Sequence, residues 1–582
     1  MRDKSLISRS GESERDRVGL VGERGWIMLL CVVCLVLVFS DLGGTALFEP
    51  DEGRNAEKAR EILLLGNWVT PYENFLTNLD KPIFFYWLVA LAFKVFGISE
   101  WSARLPSALA TLGTTFLVYR FARLHLGFWE ALWSCLILVT SFEFFLFSRI
   151  VIFDMTLTFF ITLALVSFYA ALASDPKRAR RHHILMYAAM AAGTLIKGPI
   201  AGIIPGGVIF FYLILKRQLF LIKEMNLRLG AVIYVAIVAP WYLWVDFRNP
   251  GYLRYFFLAE HFSRFATPDF GRNKNWYYFF LVLGGGFAPW SLLLPFVIRY
   301  HWKRRSDDFT LLLFVWVMLP FILFSLSSAK LPQYILPVFP ALAILTGQIL
   351  AVRFNDPNNK EQKILFLPWG VVLSLILYFL IGSAWPAILP NEIRLAVGQQ
   401  AAKVAIYGAI LCGVYGTYLL GKSRGMWRDA GPAYLCTCIG VALFLLLSGQ
   451  IAKAASFHRL AKTLTAETAP LIARDDQIVF YGTYLEGMPF YLRIERPIWL
   501  VEARRKAEPK GNYYLAGRRP VSAPGYGKIA FTDEEFAEHW KRNERTFRVF
   551  LKEMSLARFS GEVGGRPRVL AKLDGYLLVT NR

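Results

Sequence analysis

Long apolar runs recur from residue 26 to residue 450, and they decide most of what this chain can become. A bilayer core about 30 Å thick asks for roughly 20 apolar residues per helical crossing. Runs near that length fall at 26–41, 102–121, 128–147, 152–173, 184–196, 200–215, 229–247, 276–297, 309–327, 332–353, 364–381, 402–420 and 431–450. With 55% hydrophobic residues over 582 positions, a soluble multidomain protein is excluded. The expected fold is a polytopic α-helical membrane protein with about 13 transmembrane helices. Residues 1–25 form a basic N-terminal tail, 26–450 the membrane domain and 451–582 a water-soluble domain.

The first run, from Trp26 to Phe39, follows Arg15, Arg17 and Arg24 and ends in Ser40-Asp41-Leu42-Gly43-Gly44. No small-residue cleavage pattern follows, so it reads as an uncleaved helix with a cytoplasmic N-terminus. A further apolar stretch, 82–97, is short and carries Lys94. If it does not span, the basic loops 174–183, 216–228, 298–308, 354–363 and 421–430 all face the cytoplasm, as short Lys/Arg-rich loops do. If it spans, all of them face outward. It therefore reads as an interfacial or re-entrant helix. The first outer loop is then 42–101, and the tail lies on the outer side of the membrane.

The net charge of +22 fits this topology and attraction to anionic membrane lipids better than nucleic acid, because the basic residues sit in short inter-helix loops. All six cysteines fall in apolar segments, which leaves the tail without a disulfide framework or zinc site. The tail opens on a helical run from Ala452 to Ala469. Strand-like runs follow at 477–481, 497–501 and 512–516, with helical patterns over 533–553 and a strand pair around 567–580. It reads as a small α/β domain.

The parity argument brings the unusual charges to one face. Asp51 and Glu52 follow Pro50 just past the first run. They read either as catalytic carboxylates or as a helix N-terminus capped by Asp51. Asp80-Lys81-Pro82 reads as a phosphate-binding lysine, or as a helix start with Asp80 as cap, and the two readings are compatible. Asp154 lies at the outer end of an apolar helix, where a carboxylate demands a partner, and Arg149 is the structural choice. His261 is either a structural hydrogen-bonder or, with Asp80 and Asp154, a mixed N/O metal ligand, while Arg264 has the fork geometry for phosphate. Lys197-Gly198-Pro199 and Lys330-Leu331-Pro332 interrupt apolar helices at the outer edge, where lysines either snorkel or line a cavity. Gly284-Gly285-Gly286 lacks the strand–helix context of a nucleotide loop and reads as helix packing or a bend. With no nucleotide-sugar fold in the chain, a donor for sugar transfer would be embedded in the membrane.

The run Asp51-Glu52, Ala59-Arg60-Glu61, Gly66-Asn67-Trp68, Lys81-Pro82, Tyr86-Trp87 and Ala103-Arg104-Leu105-Pro106-Ser107 resembles the bacterial polyprenyl-phosphate-dependent glycosyltransferases of the protein-mannosyltransferase type, family 39 with the GT-C fold. Within it, the nearest likeness is to the transferases that place aminoarabinose on lipid A. Arg149, Asp154-Met155, Thr194, Lys197-Gly198-Pro199, Ala239-Pro240-Trp241-Tyr242, Glu260-His261-Phe262, Arg264-Phe265, Lys330-Leu331-Pro332 and Tyr334 continue the resemblance in order through most of residues 40–345. It implies a multi-span transferase with interfacial helices in the first outer loop and an outer C-terminal domain. It also implies Asp51 as the catalytic aspartate, and Lys81, Arg264 and Tyr334 as holders of the carrier phosphate, with Lys197 and Lys330 beside them. Asp80, Asp154 and His261 resemble a set for a divalent metal such as zinc, although the family often has Glu where Asp80 stands. Lys81-Pro82-Ile83 likewise departs from a lysine–double-proline pattern.

The implied reaction moves a sugar from undecaprenyl phosphate to an outer-face acceptor, lipid A or another envelope glycolipid. Protein O-mannosyl transfer and transfer to lipopolysaccharide core sugars are the alternatives within the class. A lipid or sugar transporter is the alternative outside it. A transporter calls for inverted repeats and ionisable groups near the bilayer midplane. This chain collects its charges at the outer edge and carries a one-sided soluble tail, which favours the enzyme.

Overall fold

The computed structural model describes residues 22–258, 274–354, 431–454, 460–502 and 521–582, with isolated positions between 406 and 413. The expected runs 364–381 and 402–420 and the strand 512–516 lie outside those residues, as do His261 and Arg264.

Helix α1 (Gly22–Phe39) leads into α2 (Asp51–Leu65), a two-stranded hairpin β1 (Tyr72–Glu73) and β2 (Leu76–Thr77), and α3 (Phe84–Phe96). Next come α4 (Glu100–His125), α5 (Phe128–Thr140), the short α6 (Phe142–Phe147), α7 (Phe153–Leu172), α8 (Pro176–Lys197), α9 (Ile200–Leu215) and α10 (Leu227–Arg248). Helices α11 (Tyr278–Gly286), α12 (Leu294–Trp302), α13 (Asp308–Leu326), α14 (Phe339–Phe354) and α15 (Gly431–Ala454) complete this part. Local chemistry sets several starts. Ser99 and Ser102 form a reciprocal capping box for α4. Asp175 accepts from the amides of Lys177 and Arg178, with Pro176 at the first helical position of α8. Asp307 caps α13 through the Thr310 amide.

Among the described residues, five helices are long and apolar enough to cross a membrane by length and composition, and a bent pair makes a sixth. That pair, Tyr278–Gly286 and Trp290–Trp302, turns through 109° at Pro289, so the expected run 276–297 is broken. The run 128–147 is likewise divided at Ser141 into α5 and α6.

Side-chain contacts sort the helix ends into two groups. At one end Arg123 pairs with Glu23 at 3.0 Å, Lys216 pairs with Asp308, and the His125 ring lies 5.0 Å from that of Phe309. At the other, Arg104 donates to the Leu42 carbonyl at 2.8 Å, Arg149 to the Leu37 carbonyl at 2.7 Å, and Trp241 to the Val69 carbonyl at 3.0 Å. Both α1 and α4 thus meet at the second end, and α3 returns the chain without crossing. Its 13 residues span about 20 Å, short of a bilayer core. The exposed basic residues of the expected cytoplasmic loops, such as Lys177, Arg178 and Arg217, lie toward the first end.

The tail is a six-stranded mixed sheet of order β5-β4-β3-β6-β8-β7. Its strands are β3 (Gln477–Tyr481), β4 (Trp499–Glu502), β5 (Ala530–Thr532), β6 (Phe547–Lys552), β7 (Arg568–Leu573) and β8 (Tyr576–Thr580). Period-two alternation divides its faces. Phe480, Leu500, Phe550 and Leu578 share one core with Tyr72, Phe75 and Leu76 of the first loop. Val479, Val501, Val549 and Val579 form another with Phe536 and Phe559, from helices Asp533–Arg542 and Leu556–Val563. The helical pattern expected over 533–553 is thus half wrong. It stops at Asn543, whose left-handed backbone ends the helix, and Phe547–Lys552 is a central strand.

Candidate active site

The first loop is welded to the tail. Asn74 donates to the Ile498 carbonyl and accepts from its amide, both at 2.8 Å. Arg60, in a bidentate pair with Glu57 at 2.7 Å, donates to the Ile494 carbonyl at 2.8 Å. Glu61 accepts from the Phe75 amide, and Ala523 of the tail donates to the Phe75 carbonyl at 2.7 Å.

Helix α2 also carries Asp51, Arg54 and Lys58, spaced i, i+3 and i+7 along one helical face. Neither sequence-expected cap exists. Helix α2 begins at Asp51, and α3 begins two residues after Pro82, so Asp51 and Asp80 cap neither. Asp51 instead pairs with Arg54, and its side chain is 47% exposed. Asp80 pairs with the fully buried Lys58 ammonium at 2.7 Å, which also reaches the Tyr86 hydroxyl at 3.1 Å. Burial alone would raise the Asp80 carboxyl, but Lys58, Lys81 and Arg54 outweigh it and hold it well below the usual carboxylate range. Lys81 Nζ lies 2.8 Å from the Asp80 carbonyl and 3.9 Å from its carboxylate.

Asp154 pairs with Lys197, which overturns the expectation of Arg149 as its partner. Arg149 is held by the Leu37 and Ser40 carbonyls at the end of α1. The Lys197 ammonium sits 4.4 Å from the centre of the Tyr334 ring, joining Tyr334 to the cluster by a cation–π contact. Lys330 Nζ donates to the Ser327 carbonyl at 2.7 Å and the Lys274 carbonyl at 3.2 Å. Its ammonium is thus engaged with backbone at the end of α13.

Glu52, read with Asp51 as a catalytic carboxylate, is placed otherwise. Arg104 grips it bidentately at 2.9 and 2.7 Å, and the amides of Val151 and Phe48 each donate to it at 2.8 Å. Arg104 also donates to the carbonyls of Leu42, Thr45 and Ala46. With its lone pairs engaged and its side chain 2% exposed, Glu52 is a buried positioning group.

The metal set finds no support in this geometry. Asp80 and Asp154 are each neutralised by a lysine, His261 lies outside the described residues, and among those residues no three His, Cys, Asp or Glu side chains form a group fit for a metal. A divalent cation would have to displace both lysines, so the described residues do not fit one.

Above the cluster, burial raises Glu486 of the tail to about 9, with Glu73 adding to the shift and Arg54 opposing it. Burial likewise raises Glu49 to about 7, against the hydrogen bond its carboxylate accepts from the Gly487 amide at 2.8 Å. Both folded values exceed the unfolded value. The native state therefore keeps protons that the unfolded chain releases, and stability falls as pH rises from about 5 to about 9. Asp80, shifted the other way, contributes no slope in that window. Thermal denaturation of the detergent-solubilised protein should show a falling Tm across this range, and Glu486→Gln should flatten the fall. A Tm that rises with pH would refute the assignment.

The sequence reading gave Lys58 no place and quoted Arg104 only within the family likeness, without a role. The i, i+3, i+7 spacing from Asp51 would have found Lys58, whereas Arg104 lies inside an apolar helix and gives no comparable signal.

A bundle of membrane helices with a short non-spanning helix, a tail docked over the first loop, and alternating carboxylates and lysines at one end defines a membrane-embedded glycosyltransferase of the GT-C fold. Residues 80–244 match the family described as dolichyl-phosphate-mannose-protein mannosyltransferase. A protein of Edwardsiella ictaluri named undecaprenyl phosphate-alpha-4-amino-4-deoxy-L-arabinose arabinosyl transferase is 32% identical over 437 residues, covering 72% of this chain and 76% of the relative. A Pseudomonas aeruginosa protein of the same name is 34% identical over 57% of this chain and 61% of its own length. The crystal structure of ArnT from Cupriavidus metallidurans bound to undecaprenyl phosphate superposes with a TM-score of 0.81 at 25% identity, covering 96% of this chain and 98% of that one. The chain belongs to this family of aminoarabinosyl transferases, and it is a multi-pass inner-membrane enzyme.

Proposed function

We propose that the chain transfers 4-amino-4-deoxy-arabinose from undecaprenyl phosphate to lipid A on the periplasmic side of the inner membrane. The observation that carries the reading is the exposed Asp51 carboxylate, held by Arg54 beside Lys58, Lys81 and Lys197 at one end of the helix bundle. The names of the relatives supply the donor. In this reading 26–450 is the membrane domain, 451–582 lies in the periplasm, and the basic end faces the cytoplasm, where it also meets anionic lipid.

The bond from the sugar's anomeric carbon to the carrier phosphate breaks, and a bond from that carbon to an acceptor oxygen forms. Undecaprenyl phosphate leaves with the electron pair. Lys81 and Lys197 are assigned to the phosphate, with Tyr334 held against Lys197, so catalysis rests on placement and charge stabilisation. Arg264 joins them in this proposal through the family likeness. Asp51 takes the proton of a hydroxyl acceptor, or orients a phosphate acceptor that needs no base. Each step is assigned to side chains, and none passes through a metal.

Mass spectrometry of lipid A from cells with and without the gene tests the acceptor. Loss of an aminopentose-sized mass on deletion, restored by the wild-type gene, is the expected result. Unchanged lipid A with a glycan missing from protein or core oligosaccharide would move the acceptor. No missing glycan anywhere would return the transporter reading.

A further inference from the structure

Glu143 is the buried carboxylate that the cluster does not use. Its side chain is 3% exposed, and neither oxygen has a hydrogen-bond partner among the described residues. It lies flat over Gly286, where an added methyl group would run into Oε2 and the carboxyl carbon. This gives a function to one residue of the Gly284-Gly285-Gly286 run, since the missing side chain at 286 keeps the space the carboxylate fills. The placement is fixed from two sides. The Phe142 amide donates to the Ala288 carbonyl at 3.0 Å, and Trp290 donates to Thr140 at 3.0 Å, pinning α6 against the bend after α11. Helix α6 also packs on the turn Pro332–Val338 that carries Tyr334. Among the described residues, the charged side chain felt by Glu143 is Asp154.

A carboxylate buried among apolar helices costs several kcal/mol unless it gains a cation or a proton. Here its charged neighbour has the same sign. Four carboxylates of this face each already have a cation: Asp51 has Arg54, Glu52 has Arg104, Asp80 has Lys58, and Asp154 has Lys197. The lysines are matched to a phosphate, whereas an amino sugar brings a second, positive group. Resting on the aminoarabinose reading above, we propose that Glu143 selects the donor by pairing with the ammonium group of the transferred sugar. It is a specificity-determining residue, and Gly286 is the position that lets it reach.

The test uses the full chain in lipid nanodiscs with two donors. One is undecaprenyl phosphate carrying the 4-amino sugar, and the other carries the same sugar with a neutral 4-formamido group. Glu143→Gln should raise the KM for the amino donor at least about tenfold while leaving that for the formamido donor within about twofold, the range a charged hydrogen bond commands. Glu143→Asp should recover part of the preference. Should Glu143→Gln fail to fold, Gly286→Ala displaces the carboxylate without removing it and should erode the same preference. Equal loss on both donors, or no loss on either, overturns the proposal. A wild-type enzyme that transfers neither sugar overturns the aminoarabinose reading itself, a failure visible before any variant is made.

Discussion

Asp51→Asn is expected to lower turnover by a factor of about 10²–10⁴ for a hydroxyl acceptor while leaving donor affinity near that of the wild type. The reasoning is geometric. Asp51 opens α2, caps nothing, and keeps nearly half of its side chain exposed while Arg54 fixes its direction. Asparagine preserves the size and one oxygen for Arg54 but cannot take a proton. The carrier phosphate is assigned to other groups, so binding of undecaprenyl phosphate should persist. Single-turnover transfer beside an equilibrium lipid-binding measurement separates the two quantities. Transfer within twofold of wild type would remove Asp51 from the chemistry, and transfer lost together with lipid binding would make it a binding residue. A third pattern, modest loss with full binding, fits a phosphate acceptor that needs orientation rather than a base.

The second large effect belongs to stability. Arg104→Ala should cost about 3–5 kcal/mol, because it leaves the Glu52 charge buried and strips three carbonyls of their donor. The pair ties residues 42–52 to α4 and to the backbone at Val151, so its loss frees the loop that carries Asp51. Replacing both members by apolar residues, Arg104→Met with Glu52→Leu, should cost less than Arg104→Ala alone, since no unpaired charge remains. Thermal inactivation of the three proteins measures this. If Arg104→Ala melts with the wild type, the pair is not what holds the loop.

The apolar helices were legible because a bilayer imposes on each crossing a length that single residues reveal. Parity alone put 82–97 off the spanning path, and the helix there, α3, has 13 residues. Where the reading failed, tertiary contacts had overridden local pattern. Residues 543–553 look helical by themselves, yet a strand there pairs β3 on one side and β8 on the other. Arg149 stands five residues from Asp154 and looked like its partner, but Lys197, 43 residues away, takes that place. The same limit governs the site. Asp51, Asp80, Lys81, Asp154, Lys197 and Tyr334 were legible as unusual charges and breaks at one membrane edge, with the family likeness adding their roles. That Glu52 is a strut, that Lys58 is the counterion of Asp80, and that Glu143 has no counterion among the described residues required the packing of elements distant in sequence.

The bond between Arg60 and Ile494 joins residues 434 positions apart. At 5–20 residues per second, a ribosome needs on the order of 20–90 s to make the second after the first. Throughout that interval the loop bearing Asp51 has been made while the sheet that buries Phe75 does not yet exist. Competence is therefore conferred last, by the C-terminal residues, and a prematurely terminated chain reaches the membrane with its cations and carboxylates in place but without the cover that holds them in register.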